Sequence, residues 1–259
     1  MKGAATAAVL IAALLCSCSS KTAGDSSSAG GGGGGGGNPA VTVLDKLTAG
    51  TKADTPGKIP PPALRAQLNF ASEQFEALTI AALKLPPGDL TTLRLAARSS
   101  VEGVRGALPP DLAAQLAAAL AKVDLAAQQG KPEDVALGAT EAWRMTLMGA
   151  EGDPDMPLPL DLLINAAWRY TADTHTLPPD WHDASQTLAF AYKQWNTARQ
   201  RFRSDTGIRT FDDTLVAMQE AIGHQDVAAA RAAAERLLAQ IEPLKANYRM
   251  PAGQALPAR

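Results

Sequence analysis

The sequence predicts an all-α protein, and two observations support this fold class. From residue 64 to residue 244, apolar side chains recur at every third or fourth position, as on one face of successive amphipathic helices. Between Pro62 and Tyr248 the chain has neither clusters of β-branched residues nor the residue pairs that close β-hairpins. We therefore expect about eight helices and no sheet.

Four helices are predicted before Gly152. Proline pairs separate several of them, because proline can begin a helix but interrupts one that has already started. The apolar faces, helix by helix, are Leu64, Leu68, Ala71, Phe75, Leu78 and Ala82, then Leu90, Leu93, Ala97, Val101, Val104 and Leu108, then Leu112, Leu116, Ala119, Val123 and Ala126, and finally Val135, Ala139, Ala142 and Thr146.

Four more helices are predicted after the break at residues 152–159. In the sixth, large and small apolar residues alternate, which allows a neighbouring helix to interlock with it. Thr210 and Asp213 are predicted to form a capping box that opens the seventh helix, and Gly223 is predicted to end it. The apolar faces are Leu163, Ala166 and Tyr170, then Trp181, Ala184, Leu188, Ala191, Trp195, Ala198 and Phe202, then Phe211, Leu215, Met218 and Ile222, and finally Val227, Ala230, Ala234, Leu237, Ile241 and Leu244.

Two short motifs recur at one offset along the chain. Leu-Pro-Pro occurs at 85–87 and 177–179, and Asp-Val-Ala occurs at 134–136 and 226–228, in both cases about 92 residues apart. This predicts two tandem four-helix units, residues 61–150 and 152–248, with a flexible tail over 249–259. A third Leu-Pro-Pro at 108–110 does not fit the offset, so the tripeptide is alternatively an ordinary helix end. The pattern leaves open whether the units are separate bundles or one array.

The N-terminus has the parts of a bacterial signal peptide. Lys2 supplies a positive charge, and Ala4 to Leu15 form an apolar run that is too short for the ~30 Å hydrocarbon core of a bilayer. An ordinary secretory signal with two incidental cysteines is one interpretation of this segment.

The end of this run, Leu15-Cys16-Ser17-Cys18, resembles the lipobox of bacterial lipoproteins. The resemblance implies that residues 1–17 are a signal peptide and that Cys18 becomes the acylated mature N-terminus, anchored stably by two or more acyl chains. Cys16 departs from the usual pattern, which has Ala, Ser, Thr or Val at that position. Because Ser19 rather than aspartate follows Cys18, the resemblance implies the outer membrane, with the domain facing the periplasm.

Residues 18–60 are predicted to be the lipidated cysteine and a flexible linker. The segment contains uninterrupted glycines from Gly30 to Gly37 and several prolines, and it has too little apolar surface to offset the entropy of folding. A flexible chain of this length has a root-mean-square reach of roughly 35 Å. The predicted domain would therefore stand off the membrane.

Composition excludes several classes of function. The formal net charge is −2, and this near balance favours neither nucleic acid nor an acidic polymer as partner. Cys16 and Cys18 are the only two cysteines, so the mature protein is expected to have no disulfide, cysteine metal site or cysteine nucleophile. No apolar stretch after Cys18 is long enough for a transmembrane helix. We predict no cofactor.

Five side chains around one helix-to-helix turn are candidate metal ligands. Carboxylates and imidazoles in such a turn can coordinate zinc, iron or copper(II). The alternative is that Asp180 or a neighbour caps the sixth helix and that the histidines are solvated, and the absence of His-x-x-x-His and His-x-x-Glu spacings favours it. The candidates are Asp173, His175, Asp180, His182 and Asp183.

A candidate binding patch lies on the sixth helix and the loop that follows it. Two aromatic residues fall outside the apolar face of that helix, and five basic residues accompany them. Such a patch suits anionic headgroups, a glycan's carboxylates or an acidic protein face. Core filling by the aromatics and a solvated helix end are the alternative. The patch consists of Phe190, Tyr192, Lys193, Arg199, Arg201, Arg203 and Arg209.

No catalytic constellation stands out in the sequence. Gly-x-Ser-x-Gly is absent, and none of the three histidines has a serine partner in sequence context. We therefore predict a lipid-anchored, non-catalytic binding or scaffold module of the cell envelope, attached to the membrane through Cys18 and engaging an envelope protein. The alternative function is extracytoplasmic metal handling through the loop at residues 173–183.

Overall fold

The computed structural model describes residues 61–86, 90–151, 153, 156–202 and 207–249. These residues form eight α-helices and no strand, apart from one isolated bridge between Phe202 and Tyr248, which confirms the all-α prediction. A short 3₁₀ turn, Arg105–Ala107, precedes the third helix. The helices are α1 (Pro62–Lys84), α2 (Thr91–Glu102), α3 (Pro110–Gln128), α4 (Pro132–Gly149), α5 (Leu158–His175), α6 (Trp181–Arg199), α7 (Ile208–His224) and α8 (Val227–Lys245).

Several predictions concern residues outside the described ranges. They are the signal peptide at 1–17, the acylation of Cys18, the linker up to residue 60, the tail after residue 249 and the part of Arg203 in the basic patch. None of the described helices combines the length and the hydropathy that a membrane span requires.

Proline and aspartate set most of the helix starts. Three helices, α1, α3 and α4, begin at a proline, whose missing N–H is no loss in the first turn. The carboxylate of Asp180 accepts a hydrogen bond from the N–H of Asp183 (2.9 Å) at the start of α6, and Asp226 accepts one from Ala229 (3.0 Å) at the start of α8. Both aspartates act as N-caps, which stabilise a helix by about 1 kcal/mol each.

Helix α7 differs from the prediction at both ends. It begins at Ile208, after Gly207 has adopted a φ of +86°, so Thr210 lies inside the first turn and the predicted capping box is wrong. The helix also continues through Gly223. Gln225 adopts the left-handed φ of 53° instead, and its N–H donates to carbonyls of the last turn. A glutamine therefore ends α7 in the way that glycine usually does.

Two clusters of buried apolar side chains fill the interior. The first is built mainly from α1 to α4 and the second from α5 to α8. In each set the first helix packs on the second and the fourth, and the third packs on the fourth. The arrangement of helices is thus alike in the two predicted units, while their origin by duplication stays a prediction. Helices α4 and α5 join the two sets, because they pack against each other and Leu162 and Ala172 of α5 belong to the first cluster.

Gly138 allows α3 and α4 to approach closely. A Cβ atom at this position would lie 2.8 Å from the Cγ2 atom of Val123 and 3.1 Å from the backbone nitrogen of the same residue. The second of these contacts is with backbone, which cannot rotate away as a side chain can. The missing side chain of Gly138 therefore sets the distance between the two helices.

We predict that Gly138→Ala and Gly223→Ala have opposite effects on stability. The first lowers the free energy of unfolding by about 1–3 kcal/mol, because the new methyl group overpacks the contact with α3. The second raises it by about 0.5–1 kcal/mol, because alanine favours a helix and no atom lies within 4 Å of its added methyl group. Urea unfolding of the full chain, followed by circular dichroism, measures both. Stabilisation by Gly138→Ala would show that the close approach of α3 and α4 is wrong.

Candidate functional site

A cleft lies where α1, α4, α5 and the end of α8 meet. Its volume is about 420 Å³, which is within the range of pockets that bind small organic ligands. Carboxylates, two neutral polar side chains and one lysine share its walls with apolar side chains. The lining residues are Asn69, Ser72, Glu73, Glu76, Trp143, Leu147, Met156, Pro157, Asp161, Ile164, Glu242 and Lys245.

The polar walls of the cleft carry a net negative charge. Lys245 pairs with two of the four carboxylates, since its Nζ lies 3.1 Å from Asp161 Oδ1 and 3.0 Å from Glu242 Oε1. Burial lowers the pKa of Lys245, but the two carboxylates raise it more, so the ammonium is firmly charged. Glu73 and Glu76 form no such ion pair within the described ranges. The cleft therefore favours a cation.

The raised pKa of Glu76 is the clearest sign of the negative potential in the cleft. Burial raises the pKa of its carboxyl group, and the charges of Asp161, Glu242 and Glu73 raise it further, whereas Lys245 lowers it. Burial also raises the pKa of Asp161, although Lys245 opposes this effect. A bound cation would relieve the repulsion among these carboxylates.

Apolar residues form the floor of the cleft. Trp143 and Leu147, both 3 % exposed, come from successive turns of α4, and Met156 and Ile164 continue this surface. The hydroxyl group of Ser72, which also lines the cleft, hydrogen-bonds to that of Thr146 at 2.8 Å. The cleft combines an apolar floor with an acidic rim, which suits a cation carried on an apolar body.

A second group of charges is buried beside the cleft, at the contact of α4, α5 and α6. Arg169 of α5 donates to Glu141 Oε1 of α4 at 3.2 Å and to Asp183 Oδ2 of α6. Burial lowers the pKa of Arg169, but the carboxylates of Asp173, Asp183 and Glu141 raise it more. Burial raises the pKa of Glu141, while Arg169 and Lys122 lower it more strongly, so its net shift is downward. Two of the three guanidinium nitrogens of Arg169 thus join the three helices, while its buried Nε has no hydrogen-bond partner among the described residues.

Asp173 completes this group, and burial favours the protonated form of its carboxyl group. It is completely buried, and burial raises the pKa of its carboxyl group well above the ordinary range, with Asp183 reinforcing the shift and Arg169 opposing it. Its Oδ2 atom accepts a hydrogen bond from the hydroxyl of Thr187 at 3.0 Å, while Oδ1 has no donor. A proton on Oδ1 satisfies that atom and allows it to donate to the neighbouring Asp183 carboxylate.

The five candidate metal ligands have separate roles in the structure. Asp173 and Asp183 belong to the buried charge group, and Asp180 caps α6, which was the alternative to metal binding. His175 Nδ1 lies 2.8 Å from the carbonyl oxygen of Thr171, and His182 Nε2 lies 2.8 Å from Gln186 Nε2. Within the described part of the chain, no three His, Cys, Asp or Glu side chains are grouped closely enough for a metal ion.

The candidate patch on α6 is only partly available for binding. Phe190 and Tyr192 are half-buried against the apolar clusters, and Arg199 lies 3.8 Å from Asp212. Lys193 and Arg209 are exposed, whereas Arg201 is half-buried. The described residues of the patch therefore form a mixed surface rather than a free aromatic and basic face.

Sequence analysis did not identify the residues that line the cleft or the buried arginines. Glu76, Asp161 and Lys245 come from three different helices, so no sequence spacing relates them. A signal existed for the arginines: Arg144 and Arg169 lie in the middle of largely apolar helices, where a charge requires a partner.

We predict that Asp173→Asn and Asp183→Asn differ sharply in their effects. At pH 6, Asp173→Asn changes the free energy of unfolding by less than about 1 kcal/mol, because asparagine replaces a neutral acid. Asp183→Asn lowers it by about 3 kcal/mol, because it removes a charge from the buried Arg169 pair.

The raised pKa of Asp173 also predicts that the free energy of unfolding depends on pH. A raised pKa in the folded state means that the proton on Asp173 stabilises the fold, and that this stabilisation is lost as pH rises through the folded-state pKa. Wild type therefore loses stability relative to Asp173→Asn as the pH rises from the ordinary carboxyl pKa to the raised folded-state pKa, which urea unfolding at a series of pH values measures. If the difference in free energy of unfolding between the wild type and Asp173→Asn is independent of pH, a protonated Asp173 is contradicted.

Comparison with known proteins identifies no relative of this chain. No protein family, curated protein or solved structure matches the chain.

Proposed function

We propose that this protein is a lipid-anchored, non-catalytic binding module of the bacterial envelope. The resemblance of Leu15-Cys16-Ser17-Cys18 to a lipobox supports the anchor, and the glycine-rich segment after it supports a tether. Ser19 supports the outer membrane, with the helical domain in the periplasm. The anchor and the tether would raise the local concentration of the domain near its partner.

The observation that carries the binding role is the cleft between α1, α4, α5 and α8. Its volume of about 420 Å³ and its apolar floor provide the burial that a ligand requires, and its acidic rim provides selectivity for positive charge. Glu76 is central to this selectivity, since it is a partly buried carboxylate surrounded by like charges.

The partner that fits this cleft is a cationic side chain next to an apolar one on another envelope protein. A lysine chain is apolar along its length and charged at its tip, so it matches the floor and the rim together. An ammonium group near Glu76 and Glu73 replaces repulsion between carboxylates by attraction.

We predict that Cys18→Ser abolishes acylation, whereas Cys16→Ser leaves it intact. In a bacterial host, the wild-type chain and Cys16→Ser incorporate labelled palmitate and sediment with the membrane fraction. Cys18→Ser incorporates no label and is released by osmotic shock. Retention of the label by Cys18→Ser would contradict the anchor and would leave the cleft unaffected.

We predict that the cleft binds acetyl-Phe-Lys-amide more tightly than acetyl-Phe-Gln-amide. Isothermal titration calorimetry of the full chain is expected to give a Kd on the order of 1 mM or tighter for the lysine peptide. Glu76→Gln weakens binding about tenfold, because it removes the charge that faces the ammonium. Glu220→Gln, an exposed position on α7, serves as the matched control and leaves Kd unchanged. Equal affinity for the two peptides would contradict a cation site.

A further inference from the structure

Arg144 is a buried cation whose guanidinium forms no ion pair with any carboxylate in the described part of the chain. The residue lies near the middle of α4 and is 8 % exposed. Among the described residues, no ion pair or hydrogen bond engages its guanidinium, and its contact is with the ring of Phe190, whose centroid lies 5.8 Å from Cζ. A guanidinium carries five N–H donors, and a ring face is a weak substitute for the acceptors that they require.

The neighbouring carboxylates are already used by another cation. Glu141 and Asp183 both bond to Arg169, and burial raises the pKa of Asp173 beside them. Burial lowers the pKa of Arg144 to about 10, and the charge of Arg169 adds to this effect, while Glu141 and Asp183 oppose it. Arg144 thus shares the field of these carboxylates but forms no ion pair with either of them among the described residues.

The guanidinium borders a small pocket between α4, α5 and α6. Thr140, Asn165, Ala166, Arg169, Thr187 and Phe190 form its other walls. Its inner space, about 10 Å³ for the centre of a water-sized group, holds one such group, and the pocket widens toward solvent. The hydroxyls of Thr140 and Thr187 donate elsewhere, to the carbonyl of Leu137 and to Asp173, so the charged donors of this pocket are those of Arg144 and Arg169.

We propose that this pocket is a binding site for a small monovalent anion, in which Arg144 receives one oxygen of a carboxylate or a chloride ion against the ring of Phe190. The guanidinium fork of Arg144 matches a carboxylate in geometry, and the anion supplies an acceptor in a pocket whose walls also include Arg169, the Nε of which is buried without a partner among the described residues. The confined space and the nearby charges of Glu141 and Asp183 disfavour a larger or doubly charged anion. This site is separate from the cleft and does not rest on the cationic ligand proposed there.

The test measures the thermal unfolding of the full chain in a buffer whose only anion is the bulky sulfonate HEPES. Sodium formate, acetate, chloride and phosphate are added separately at constant ionic strength. We expect formate, acetate or chloride to raise Tm saturably, by about 5 °C at a hundred times Kd, and we expect phosphate to have less effect. Line broadening of ¹³C-formate in nuclear magnetic resonance measures binding to the wild-type chain independently of stability.

Two variants and one control assign the effect to Arg144. Arg144→Gln loses the anion-dependent rise in Tm. Arg144→Lys keeps the positive charge, so it serves as the test variant if Arg144→Gln does not fold. It weakens the affinity for the anion at least tenfold, because lysine lacks the planar fork of donors. Arg236→Gln, at an exposed position on α8, retains the full rise. An absence of saturable binding by all three monovalent anions would overturn the proposal. An equal anion-dependent rise in Tm in Arg144→Lys and the wild type would also overturn it. A preference for phosphate over the three monovalent anions would contradict the size limit of the pocket.

Discussion

The structure depends on one buried cation, the guanidinium of Arg169. It bonds to Glu141 on α4 and to Asp183 on α6, so a single side chain of α5 joins three helices that belong to both apolar clusters. Removing a partner from a buried ion pair typically costs about 3–5 kcal/mol, whereas exposed pairs such as Arg98 with Asp124 contribute less than about 1 kcal/mol. The positions of α4 and α5, and therefore the walls of both candidate sites, follow from this contact.

The two candidate sites have opposite charge because of where α4 lies. Successive helix residues point about 100° apart, so Trp143 faces the acidic cleft while Arg144 faces the small pocket beside α6. Helix α4 is buried on most of its circumference and borders both candidate sites. Negative charge in the cleft comes from α1, α5 and α8, whereas the positive charge in the pocket comes from α4 and α5.

Apolar periodicity predicted the helices well, because each stripe is a local property of 12 to 23 residues. The buried stripe from Ala184 to Ala198 of α6 is an example, with Trp195 stacked on Phe211 at 4.1 Å. Local signals failed where backbone geometry has several solutions, as at Gly207 and Gln225 around α7. Local sequence patterns did not indicate the candidate sites. Their residues come from helices far apart in the chain, and Asp183 was identified as a candidate ligand although its partner in the fold is Arg169.

We expect the Arg169 contact to make the two apolar clusters one cooperative unit. Native-state hydrogen exchange of the full chain tests it directly, since α3 and α7 lie on opposite sides of that contact. We predict that the slowest amides of α3 and α7 share one free energy of opening in wild type, and that Arg169→Met lowers it and separates the two values. Two distinct free energies in wild type, or a common value unchanged in Arg169→Met, would contradict the account.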